Sequence, residues 1–130
     1  MRIDRNLLDS LTGQAKASPR LRASYDLRNS AEDRSQRMLN AIEPGSPVPV
    51  HRHQETSETV VVLRGHLREI FYDDLKHVDE IVDLKAGGPI VALNIPAGRW
   101  HGVEVMESGT VILEMKDRAY EPLQDCDILK

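Results

Sequence analysis

The chain has 130 residues, which suits one domain with one core. Apolar residues make up 40% and charged residues 29%, the balance of a folded globular chain and not of a disordered one. The net charge of −4 argues against non-specific binding to nucleic acid or to an anionic membrane.

The longest purely apolar run is Val60 to Leu63, far short of the roughly 20 residues needed to span a bilayer. The start, Met1 to Arg5, lacks the apolar stretch of a secretory signal. The one cysteine, Cys126, cannot form an internal disulfide. A cytoplasmic location is therefore expected, and Cys126 reads as a bland tail residue.

Residues 3–16 predict a helix. Ile3, Leu7, Leu8, Leu11 and Ala15 fall at helical spacing. Asp4 suits its N-cap, and Ser18-Pro19 ends it. Pro19 to Asp33 is basic and irregular and reads as a loop or lead-in across the fold. Strand-like runs follow at 36–42, 58–63, 67–72, 78–84, 90–95, 102–106 and 110–115, separated by Gly, Pro, Asp and Asn. That spacing predicts an all-β sandwich or barrel. The expected division is a helix and lead-in (1–35), a barrel (36–116) and a tail packed on the outside (117–130).

The chemistry concentrates in two stretches. His51 and His53 alternate with Arg52, so on an extended strand they share a face about 7 Å apart. Glu58 opens the next strand and can set a carboxylate beside them. Pro96-Ala97-Gly98 makes a turn that returns the chain with His101. Three imidazoles and a carboxylate suit Zn, Fe, Mn, Ni or Co better than Ca or Mg. On an octahedral ion they leave two positions for water or substrate. One divalent transition metal is the expected cofactor.

These positions carry a family resemblance. Gly45, five residues, His51, one residue, His53, four residues, Glu58, six residues and Gly65 match the first cupin motif at every fixed position. Pro96 to His101 resembles the core of the second, although Ile90 and Val105 stand where that motif has glycine and asparagine. With Ser18 to Arg22 and Gln36 to Ala41, the chain resembles the WbuC family of cupin-fold metalloproteins, in the RmlC-like cupin superfamily. The resemblance implies a cupin jelly-roll barrel with a short N-terminal helix, a metal on His51, His53, Glu58 and His101, and a setting in O-antigen and surface-polysaccharide (lipopolysaccharide) metabolism.

Arg20, Arg22 and Arg37 are candidates for binding an anionic small molecule, because a guanidinium grips phosphate or carboxylate in bidentate fashion. Glu69 and Tyr72 are alternative acid–base candidates. The expected activity is a metal-dependent isomerase, epimerase or hydrolase, in which the metal polarises a substrate oxygen or activates water. A dioxygenase, or a non-catalytic binding or sensor module, is the alternative. Glu55, His66 and His77 read as surface groups, and Trp100 as packing or a pocket rim. Exposed β-edges lead to the expectation of a homodimer.

Overall fold

The computed structural model describes all 130 residues. Helix α1 (Arg5–Ala17) begins where Asp4 caps it, its Oδ1 accepting from the Leu7 N–H at 3.0 Å. It stops at Ser18, which is extended as the residue before a proline should be. Eight strands follow: β1 (Arg22–Asp26), β2 (Gln36–Ile42), β3 (Glu58–Arg64), β4 (His66–Tyr72), β5 (Val78–Lys85), β6 (Ala92–Ile95), β7 (His101–Val105) and β8 (Val111–Lys116). All predicted strands are present, with ends that differ by one or two residues.

Two antiparallel sheets face each other, in the orders β1-β2-β8-β3-β6 and β5-β4-β7. This is the jelly-roll sandwich expected of the sequence. Alternation along each strand decides what each sheet buries. The inward residues Ile42, Val60, Val62, Leu67, Phe71, Leu84, Ile95 and Ile112 form the core between the sheets. The opposite face of β2 presents Leu39 and Ala41, which pack with Val111 against Leu11 and Ala15 of α1. Arg64 fastens the helix to the barrel. It reaches Asp9 at 2.6 Å, the Thr12 hydroxyl at 2.8 Å and the Gly109 carbonyl at 2.9 Å.

Two segments differ from expectation. Within the stretch read as a lead-in, Arg22–Asp26 forms β1 and pairs in register with β2, from Arg22 opposite Ile42 to Asp26 opposite Met38. An edge strand is solvated on one side, so its composition lacks the apolar alternation that marks an inner strand. The tail does more than pack on the outside. Ile128 bridges to His51, while Tyr120, Glu121 and Leu123 line the main cavity. No helix is long and apolar enough to cross a membrane.

Candidate metal centre

The cavity lies between the inner faces of β1, β2 and β8 and the strand-like segment 48–53 that runs beside β7. It measures about 590 Å³. His51 and His101 are held opposite each other by a pair of backbone hydrogen bonds, each of 2.9 Å, from one amide to the other's carbonyl. Gly98, at φ +81°, closes the turn that delivers His101, and its N–H donates to the His53 carbonyl at 2.8 Å. A positive φ is cheap only for glycine. One short network thus positions all three histidines.

The ligating atoms of His51, His53 and His101 lie within 4.8 Å of one another. Glu58 Oε2 stands 3.2 Å from His53 Nε2 and 3.9 Å from His101 Nε2. The three imidazoles form the tight cluster, and the carboxylate reaches two of them. His51 Nδ1 lies 2.9 Å from the Pro49 carbonyl and His101 Nδ1 lies 2.9 Å from the Arg99 carbonyl. A carbonyl can only accept, so each Nδ1 carries the hydrogen. Each Nε2 is then a free lone pair turned into the cluster, as outer hydrogen bonds orient metal-ligating histidines. Glu58 Oε2 is buried and has no hydrogen-bond partner. Converging lone pairs beside an orphaned carboxylate oxygen fit a cation well. Four nitrogen and oxygen donors suit a divalent transition metal.

Electrostatics agree with this fit. Burial, then repulsion from His51, lowers the His101 pKa to about 3. Burial also lowers His51 and His53. All three are therefore neutral ligands at neutral pH. Carboxyls shift the opposite way. Burial raises Glu58. Burial, then repulsion from Glu58, raises Glu114 to about 8. Burial followed by repulsion from Glu58 and Glu114 raises Glu69 well above its usual range.

These shifts predict a stability profile for the metal-free protein. A histidine held below its ordinary value of 6.5 leaves protons to the unfolded chain, so stability falls as pH drops below 6.5 toward 3. A carboxyl held above 4.5 keeps a proton that the unfolded chain loses, so stability falls as pH rises from 4.5 toward 8. Thermal melts in chelator should therefore peak between pH 4.5 and 6.5. Added metal, which favours the ionised carboxylates, should flatten the alkaline decline. A monotonic rise in stability to pH 8 without metal would refute the assignment.

The other sequence candidates separate by strand parity. Arg20 and Arg22 line the cavity. Arg37 does not. It follows inward-facing Gln36 on β2, so it points to the outer face, where its guanidinium binds Asp33 at 3.2 Å and the Ser35 and Leu27 carbonyls at 2.7 and 3.0 Å. Its place in the expected anion site is corrected on that ground. Glu69 alternates with Leu67 and Phe71 and faces inward, 2% exposed, with Oε2 unpartnered. Tyr72 has the opposite parity and packs near Gly102, outside the cavity.

Trp100 turns away from the cluster. Its Nε1 donates to Asp74 at 2.9 Å and Arg52 stacks on its ring. Glu55 pairs with Arg118, His66 with Asp83 and His77 with Asp73. Glu114, Gln36 and Lys116 also line the cavity, although no motif or spacing marks them as site residues. A signal for Glu114 was available, since it interrupts the apolar run Val111 to Met115 at an inward position.

A family model described as a domain of unknown function (DUF6016) matches residues 3–84. No curated protein matches the chain. Several solved structures are similar to it. KdgF from Halomonas sp. has a TM-score of 0.59 and 17% identity, over 78% of this chain and 84% of that one. A cupin 2 domain-containing protein from Halorhodospira halophila has 0.58 and 18%, over 80% and 70%. The capsular polysaccharide assembling protein CapF from Staphylococcus aureus has 0.58 and 22%, over 76% and 27%. Identity this low carries the fold alone, and the fold is that of a cupin.

Proposed function

This chain belongs to the DUF6016 family, and we propose that it is a divalent-metal cupin enzyme acting on a small anionic molecule, such as a sugar or nucleotide-sugar of surface-polysaccharide metabolism. The observation that carries this reading is the cluster of three neutral imidazoles, with Glu58 beside it, on the wall of a cavity large enough for such a molecule. His51, His53, Glu58 and His101 would hold the metal. When bound, it supplies a Lewis acid that polarises a substrate oxygen.

The chain's own residues supply the rest. Arg20 and Arg22 face the cavity without a carboxylate partner and are available to an anionic group. Glu69 is buried and unpartnered on the same cavity, and burial, followed by repulsion from Glu58 and Glu114, raises its pKa well above the ordinary carboxylate value. That suits a general acid. The resemblance to the WbuC family favours polysaccharide chemistry, and CapF, by its description, assembles capsular polysaccharide.

The test is a mass-spectrometric turnover screen of sugar phosphates and nucleotide-sugars on metal-loaded protein. His51→Ala should abolish any turnover found. Glu69→Gln should retain metal and lower kcat by roughly 100-fold or more, the scale of lost acid–base catalysis. Full activity in His51→Ala would overturn the metal's role. Binding without turnover across the screen would favour a non-catalytic module.

A further inference from the structure

Two cavity residues outside the proposed metal ligands form a recess beside them. Gln36 opens β2 and lies in register with Lys116 at the end of β8. Cross-strand partners stand about 5 Å apart at Cβ. On the other side of β8, Thr59 pairs with Met115, so Glu58 follows next to Lys116. One inward row therefore reads Gln36, Lys116, Glu58 across three strands. It begins with an amide and ends at the metal cluster.

Both new members lack partners. Gln36 is 2% exposed, lines the cavity and has an Oε1 with no hydrogen-bond partner. A buried carbonyl oxygen left unpaired costs about 1–3 kcal/mol, and a ligand hydroxyl would satisfy it. Lys116 is half-buried on the same cavity and forms no ion pair. An ammonium in that position favours an anion. The Glu58 carboxylate lies next to Lys116 in the same row, which disfavours a ligand group that carries two negative charges.

We infer that Gln36 and Lys116 form a subsite for a hydroxylated carboxylate. The ligand's hydroxyl donates to Gln36 Oε1 and its carboxylate pairs with Lys116 Nζ, beside the metal position. The inference deepens the proposed function and rests on its metal site.

Protein loaded with Co(II) is first titrated with metal alone, then with glycerate, propionate, glycerol and inorganic phosphate, by calorimetry and visible absorption. Glycerate should bind at least about tenfold more tightly than propionate, which lacks the hydroxyls, and than glycerol, which lacks the charge. Gln36→Leu should erase the preference over propionate. Lys116→Met should erase the preference over glycerol. Both variants should keep one metal per chain. If Gln36→Leu fails to fold, Lys116→Met on its accessible side chain decides. Equal binding of glycerate and propionate, unchanged preferences in the variants, or tighter binding of phosphate would overturn the subsite with the metal reading intact. Failure to take up Co(II) would overturn both.

Discussion

His101→Ala should lower affinity for a divalent transition metal by more than about 100-fold. Loss of an outer hydrogen bond to a ligand alone costs 10–100-fold, and this substitution removes a donor atom. His101 is the most enclosed of the three histidines, 3% exposed, and its Nε2 is turned to Glu58. The fold should survive, because the backbone bridge to His51 uses main-chain atoms that alanine retains. Metal should then raise the melting temperature of the parent protein but not of the variant. His66→Ala is the control. His66 lies 2.6 Å from Asp83, away from the cluster, and its loss should leave metal affinity unchanged. Calorimetric titration of both variants checks the result, and undiminished affinity in His101→Ala would remove this residue from the site.

Gly65→Ala should be the most damaging small substitution in the barrel. Gly65 sits at φ +88°, where an L side chain is strained. An added Cβ would stand 2.2 Å from Thr110 Oγ1 and 2.7 Å from Thr110 Cα. Thr110 is fully buried, with its hydroxyl donating to the Glu107 carbonyl at 2.7 Å, so it cannot give way cheaply. Left-handed backbone costs about 1–2 kcal/mol and overpacking a further 1–3 kcal/mol. A loss of about 2–5 kcal/mol in urea unfolding is expected. Gly13→Ala is the contrast. It lies inside α1 with nothing near the added Cβ, and it should stabilise by about 0.5–1 kcal/mol. Equal effects at the two sites would refute the packing described for the β3–β4 turn.

The sequence made the inner strands legible because alternating apolar residues and Gly or Pro breaks mark them directly. The helix was legible from its stripe and its cap. β1 was not, since an edge strand with Tyr25 and Asp26 exposed carries no alternation to read. In the site, His51, His53 and Glu58 were legible because close spacing on one short turn converts directly into proximity, whereas His101, far along the chain, was legible through the resemblance of Pro96 to His101 to the second cupin motif. Arg37 misled. An arginine in a matching sequence context says nothing of strand parity, and one position along β2 separates the cavity from the outer face. Parity also separates Glu69 from Tyr72, which sequence alone could not do without the phase of β4. Gln36 and Lys116 were hidden for a different reason. They are 80 residues apart and meet only through the β2–β8 register.

Elemental analysis of protein purified without added metal tests whether His51, His53, Glu58 and His101 hold one metal ion. One divalent transition metal per chain is expected, lost in the His51→Ala, His53→Ala double variant. A metal-free protein that also fails to take up Zn, Mn, Fe, Co or Ni on titration, or a double variant that retains its metal, would contradict it.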